Sequence, residues 1–179
     1  ASFRNKGIKL IVPPTDAVVR ADKSLTLFMI NTLAENARKF TEPGGEVTVS
    51  AQQYDEYVEI SVSDTGIGLT EEDVRTIRET KIYNSSKKNG FGLINCKGII
   101  DKYRKTDHLF DVCSFDVEST LGKGTEVILS IDQKIVLDNK DNTIDKYEYF
   151  VKMNKKVLIV GQNKDLINKV SKSGLVITE

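Results

Sequence analysis

Between Asn31 and Thr41 the chain reads Asn-Thr-Leu-Ala-Glu-Asn-Ala-Arg-Lys-Phe-Thr. On a helical wheel at about 100° per residue, Met29, Ile30, Leu33, Ala34, Ala37 and Phe40 share one broad apolar face. Asn31, Thr32, Glu35, Asn36 and Lys39 share the opposite arc. That arc carries amide, hydroxyl and carboxylate oxygens beside one ammonium. Two asparagines are unexpected on a solvated helix face, because Asn is a poor helix former that favours caps. A wet face of ordinary polar residues accounts for the arc equally well. The sharper reading is a set of oxygen ligands for a hard ion such as magnesium, centred on Asn36, with Lys39 one turn on to meet a phosphate oxygen.

Three glycine-containing turns follow: Asp64-Thr-Gly-Ile-Gly68, Gly90-Phe-Gly92 and Gly122-Lys-Gly124. Each alone reads as a tight turn. Together they bracket a strand end, a helix start and a hairpin, which is a plausible set of walls for a nucleotide. Asp64, beside Gly66 and Gly68, could accept a hydrogen bond from the exocyclic amine of adenine and discriminate against a 6-oxo base. Its bland alternative is an Asx-turn. Gly90 and Gly92 precede a helix, whose free N–H groups and positive dipole end suit an anion. Lys87 and Lys88 could reach the same anion, although exposed loop lysines more often serve solubility.

These residues need elements to hold them. Gly7 to Val12 reads as a strand stopped by Pro13-Pro14, and Ala17 to Arg20 as a short edge strand. Asp22 or Ser24 caps a helix from Leu25 to about Phe40. Glu42-Pro-Gly-Gly45 is a turn. Glu46 to Ala51 and Tyr57 to Ser63 alternate apolar and polar and form an antiparallel hairpin, with Val47, Val49, Val58, Ile60 and Val62 inward. Thr70 and Asp73 start a helix from Glu71 to about Glu79. Thr80 to Asn89 is a polar, basic loop. A helix from Leu93 to about Tyr103 shows a stripe of Leu93, Cys96, Ile99, Ile100 and Tyr103. Leu109 to Glu118 and Thr125 to Ile131 form a second antiparallel pair.

Composition excludes several classes. The 26 basic and 26 acidic residues cancel, so no global field draws in nucleic acid or an anionic membrane, and any phosphate affinity is local. Cys96 and Cys113 have neither a CxxC spacing nor histidine partners, which argues against zinc and for reduced core thiols in a cytoplasmic protein. No run approaches a membrane span. The 179 residues suit one domain plus an appendage, with 39% hydrophobic residues to build a core. Ala1 in place of Met reads as a cut from something longer.

In order and spacing, Glu35-Asn-Ala-Arg-Lys-Phe-Thr41, Asp64-Thr-Gly-Ile-Gly-Leu69, Gly90-Phe-Gly-Leu93 and Gly122-Lys-Gly-Thr125 resemble the ATP-binding catalytic domain of sensor histidine kinases. That family shares a superfamily with gyrase, the ninety-kilodalton heat-shock chaperone and the MutL ATPases. The likeness implies a two-layer α/β sandwich, a mixed sheet covered on one face by helices, with an ATP lid at about residues 80–89. It implies Asn36 as the magnesium asparagine, Lys39 as a phosphate contact, and Asp64 as the adenine reader, with Gly66 and Gly68 shaping that wall. Gly90, Gly92 and Leu93 match the phosphate-side motif. Thr125 matches a residue that assists Asp64 through water, and Glu35 an acid that helps polarise the accepting histidine. The family's first asparagine lies four residues before the second. Here Thr32 stands there and Asn31 one place earlier, so the two compete for one ligand role. The phenylalanine box of the lid is degenerate.

The implied function is transfer of the γ-phosphoryl group of magnesium-ATP to a histidine on a separate dimerisation hairpin, in a homodimer that can be membrane-attached, with a response-regulator receiver domain downstream. Other superfamily ATPases, an anti-sigma-type serine kinase and a nucleotide-binding pseudokinase are the alternatives. His108, the only histidine, matches no acceptor site. The expected division is 1–6 as the end of a dimerisation hairpin, 7–133 as the ATPase-like domain, 134–155 as a charged linker, and 156–179 as an incomplete α/β segment. That last piece, from Lys156-Val-Leu-Ile-Val160, faintly resembles the start of a receiver domain. Gly161 and Gln162 stand where a receiver has its acidic pair.

Overall fold

A computed structural model describes residues 2–79, 91–106, 114–132 and 164–178. A 3-10 turn at Arg4–Lys6 precedes seven strands and four α-helices among these residues. They are β1 (Lys9–Ile11), β2 (Val18–Arg20), α1 (Lys23–Phe40), β3 (Glu46–Gln53), β4 (Tyr57–Asp64), α2 (Glu71–Glu79), α3 (Phe91–Thr106), β5 (Ser114–Thr120), β6 (Gly124–Asp132), α4 (Lys164–Lys172) and β7 (Val176–Thr178). The expected loop at 80–89, with Lys87, Lys88 and Gly90, lies outside the described residues. So do His108, Cys113 and the apolar run 156–160.

Five strands form one mixed sheet in the order β1-β3-β4-β6-β5. Only β1 and β3 run parallel; the other pairs are antiparallel. Alternation decides which face is covered. Val49 pairs with Val62, which pairs with Val127, which pairs with Val117, and all four are buried. Ala51, Ile60, Leu129 and Phe115 make the next such row, with Ile60 and Leu129 fully buried. On the other face Ser50 and Ser61 meet hydroxyl to hydroxyl at 2.9 Å. One face is therefore apolar and the other polar, as the sequence alternation predicts.

Helices α1 and α3 pack together and α1 lies against β3 and β4. The α1 stripe is buried at Leu25, Phe28, Met29, Ile30, Leu33, Ala34 and Ala37. Asp22 is the N-cap: its carboxylate accepts the Leu25 N–H at 2.7 Å, a bond that contributes about 1 kcal/mol in such caps. At the other end Lys6 donates to the Arg38 and Lys39 carbonyls, both at 2.8 Å, and so places a cation on the negative end of the dipole. In α3, Leu93, Cys96, Ile99 and Ile100 are buried. Burial without a charge partner pushes the Cys96 thiol well above its usual range, so it stays an inert core group.

The tail returns to the body of the molecule. β7 pairs in parallel with β2 as a two-stranded sheet. From α4, Leu166 and Val170 join the buried core, and Lys169 donates to the Leu10 carbonyl at 2.8 Å. Ser173 accepts the Thr15 N–H on its carbonyl at 2.8 Å.

Candidate functional site

The inward file of β4 runs Val58, Ile60, Val62 and then Asp64. Its apolar members are buried and its last member is a half-buried carboxylate. Cross-strand register places Thr125 opposite Asp64, and Ser119 opposite Thr125. The next row starts on buried Val47 and turns polar over Asp64, Thr125 and Ser119, on the helix-facing side. Asp64 accepts the Gly66 N–H at 2.8 Å, and a Thr125 backbone N–H also points at the carboxylate. Burial raises its proton affinity above the ordinary value of 3.8, and these two N–H donors oppose that rise.

The loop after Asp64 is clamped on both sides. Ile67 N–H bonds the Phe40 carbonyl at 3.1 Å, joining the loop to the end of α1. Gly122 N–H bonds the Ile67 carbonyl at 2.8 Å, joining it to the β5–β6 turn. Gly68 has φ +70°, and a methyl there would run into the Thr120 carbonyl. Gly124 has φ +122° and lies on the Asp64 carbonyl. Both positions need glycine for conformation as well as for space. At Gly66 a side chain would strike the Phe40 carbonyl and the Asp64 carboxylate.

The other wall is α1 against the start of α3. A Cβ on Gly92 would lie 2.9 Å from the Thr32 methyl, so Gly92 and Thr32 are in direct apposition. Asn31, Thr32, Glu35 and Asn36 are all half-buried, and only Lys39 on this arc is exposed. Glu35 is held by Arg38 at 2.9 Å. The Asn36 side chain has no hydrogen-bond partner among the described residues. A half-buried amide in that state has its oxygen available to a ligand. The Lys39 ammonium rests 5.0 Å from the Phe40 ring centroid. Leu93 turns its side chain into the core at 5% exposure, so what it offers a ligand is its N–H in the first turn of α3.

Sequence reasoning passed over Ser119. Its hydroxyl accepts the Leu69 N–H at 2.8 Å, donates to the Gly124 carbonyl at 2.9 Å and meets the Thr125 hydroxyl at 2.8 Å. It therefore ties the Asp64 loop to the hairpin turn. The available signal was a polar residue at the end of the inward file Phe115, Val117, Ser119. No turn motif marks it. An open cleft of about 620 Å³ between α2 and β5 has Ser119 on its wall.

The family described as "Histidine kinase-, DNA gyrase B-, and HSP90-like ATPase" matches residues 21–135. The chain belongs to that family. Among curated relatives, Histidine protein kinase DivJ of Caulobacter vibrioides is 41% identical over 73 residues, covering 40% of this chain and 12% of that protein. The Non-motile and phage-resistance protein of the same organism is 30% identical over 152 residues, covering 74% of this chain and 17% of that protein. The Adaptive-response sensory kinase SasA of Rippkaea orientalis is 35% identical over 96 residues, 51% of this chain and 25% of that protein. The chain thus spans a quarter or less of these relatives.

Solved structures agree on the fold. A mycobacterial sensor histidine kinase, MprB, superposes with a TM-score of 0.54 at 22% identity, over 72% of this chain and 85% of that one. Full-length ShkA, solved with AMPPNP, gives 0.54 at 26% identity, over 72% and 26%. The histidine kinase ThkA, solved in complex with the response regulator TrrA, gives 0.58 at 19% identity, over 76% and 37%. The expected two-layer sandwich, a mixed sheet with helices on one face, is the fold observed.

Proposed function

We propose that this chain binds magnesium-ATP and transfers its γ-phosphoryl group to a histidine on a separate helical hairpin. The observation that carries the reading is the juxtaposition of Asp64, fixed between Gly66 and Thr125, with an α1 face whose Asn36 amide is half-buried and unpartnered among the described residues. Asp64 would accept from the adenine amine, with Thr125 beside it. Gly66 and Gly68 let the loop pack against the Phe40 and Thr120 carbonyls and so would shape the adenine wall. Gly92 and the first N–H groups of α3 would face phosphate, with Gly90, Lys87 and Lys39 as further contacts.

The donor set fits magnesium in one specific way. No group of three or more acidic, cysteine or histidine ligands occurs among the described residues, whereas magnesium can be held by a few oxygen ligands together with phosphates and waters. Asn36 would supply the protein oxygen, with Thr32 or Asn31 near it. Magnesium held there would supply charge neutralisation at the phosphates. The chain's own part is positioning. In the transfer, the imidazole nitrogen forms the new P–N bond, the bond from γ-phosphorus to the bridging oxygen breaks, and ADP leaves. Glu35, steered by Arg38, would polarise the imidazole and receive its proton.

The full-length protein is read as a cytoplasmic homodimer, membrane-attached or free, that passes its phosphoryl group to a receiver domain; kinase relatives and the ThkA–TrrA complex support the receiver partner. None of the described helices is long and apolar enough to cross a membrane. We also read 7–133 as the catalytic domain, 1–6 as the end of the hairpin and 134–155 as a linker.

The test is phosphotransfer in trans from labelled ATP to the cognate histidine hairpin, with Glu35→Gln alongside. Acid-labile phosphohistidine should form, and Glu35→Gln should slow transfer about 10²-fold or more at unchanged ATP affinity. Release of free phosphate without phosphohistidine would favour the hydrolase reading. Acid-stable phosphoserine on an added partner would favour the serine-kinase one. Absence of magnesium-dependent ATP binding would leave a pseudokinase.

A further inference from the structure

The polar row at the end of the sheet has a defined proton direction. A serine hydroxyl has one proton and two lone pairs. At Ser119 one lone pair takes the Leu69 N–H. The Gly124 carbonyl can only accept, so it takes the Ser119 proton. The remaining neighbour, the Thr125 hydroxyl at 2.8 Å, must then donate to the second lone pair of Ser119. Thr125 is left with lone pairs and no free proton. Next to it, Asp64 faces two backbone N–H donors and is likewise an acceptor. The two groups that register places side by side therefore both accept.

We propose that Ser119 is a positioning residue for base selection: by holding the Thr125 hydroxyl proton, it makes the Asp64–Thr125 wall accept only, and so complementary to a 6-amino purine and repellent to a 6-oxo purine. An amine offers two N–H donors to such a wall. A 6-oxo group offers an acceptor, which would sit unpaired against two others. Without Ser119, Thr125 is free to turn its proton outward and donate to a 6-oxo oxygen. Base discrimination would then fall even though neither Asp64 nor Thr125 had changed. This inference rests on the nucleotide-binding reading above.

The experiment measures binding of ATP and of inosine triphosphate to the full chain, with magnesium, by calorimetry. Wild type should prefer ATP. In Ser119→Ala both nucleotides lose some affinity, because the Leu69 N–H and Gly124 carbonyl lose a partner. The preference itself should narrow about tenfold, the size of one buried hydrogen bond made or left unmade. Ser119→Ala combined with Thr125→Val has no hydroxyl to donate, and the ATP preference should return. Ser119→Thr keeps the hydroxyl and should keep the preference. If the alanine variant does not fold, Ser119→Cys fills the same space with a poor acceptor and should narrow the preference in the same direction. Equal weakening of both nucleotides, with the ratio unchanged, would mean that Ser119 is only a brace and would overturn the proposal. A wild-type domain indifferent to the 6-substituent, or unable to bind ATP, would overturn the nucleotide reading as well. Asp64→Asn separates the two failures: a ratio that moves with Asp64 but not with Ser119 sinks the Ser119 inference alone.

Discussion

Asp64 closes an apolar file with a carboxylate, and that position has opposite consequences for stability and for binding. Its folded pKa is raised by burial. Protonated Asp64 therefore contributes stability that is complete below its ordinary 3.8 and is lost as pH rises through the folded value. Asn at the same position carries no such charge. Asp64→Asn should gain stability relative to wild type as pH rises through that window and keep the gain above it, read as a higher Tm at pH 7. ATP affinity should nevertheless fall about 10- to 100-fold, since an amide can present its N–H₂ to the adenine amine. Unchanged affinity would remove Asp64 from the base-reading role. Asn36→Ala tests the other wall. Alanine is the better helix former by up to about 0.7 kcal/mol, and the Asn36 amide has no partner to lose among the described residues. Tm should hold or rise while magnesium-dependent phosphotransfer disappears, the signature of a residue kept for function against stability.

The elements that bring these residues together are held by different forces. Helix α1 is placed by its buried stripe, capped by Asp22 and closed by Lys6. The Asp64 loop is placed by backbone hydrogen bonds to α1 on one side and to the β5–β6 turn on the other. That second clamp depends on Gly68. Gly68→Ala combines a positive φ with a collision against the Thr120 carbonyl, so it should cost more than the roughly 1 kcal/mol of a strained turn residue alone. Chemical denaturation should show a clear fall in midpoint, and ATP affinity should fall with it. Helix α4 is placed by burial. Leu166 is 1% exposed, and Leu166→Ala should cost about 2–5 kcal/mol by the transfer and cavity terms together. A change below about 1 kcal/mol would show that α4 leaves the core readily.

At the scale of the molecule, α4 and β7 share a core with α1 and β2, although α4 begins only at Lys164 and α1 ends at Phe40. The family match ends at residue 135 and leaves this segment out. If the packing governs stability, a chain ended at residue 133 should unfold at a lower temperature than the full chain, and a peptide spanning 164–179 should restore part of the loss in a concentration-dependent way. A truncated chain of unchanged Tm would make the tail a passenger. Equal numbers of acidic and basic residues leave phosphate affinity to local groups. The proposed function accordingly assigns charge recognition to α1 and the start of α3.

Periodicity and glycine chemistry were enough to identify the hairpin β3–β4, the pair β5–β6, the helix α2 with its Thr70–Asp73 start and the stripe on α1. Those features are local: side chains alternate with period two or recur every three to four residues, and a turn needs particular residues at particular places. The motif order also pointed to Asn36, Asp64 and the glycine walls, because each motif is a short run. Other facts were decided only by tertiary structure. Nothing in one strand states that its neighbour is β6 and not β5, so the row Asp64-Thr125-Ser119 and the bonding of Ser119 could not be read before the register was known. The apposition of Thr32 and Gly92 joins residues sixty positions apart. Gly174 and β7 meet Thr15 and β2 across most of the chain. Such contacts depend on which surfaces share a core, a property of the packed chain that no short window of residues contains.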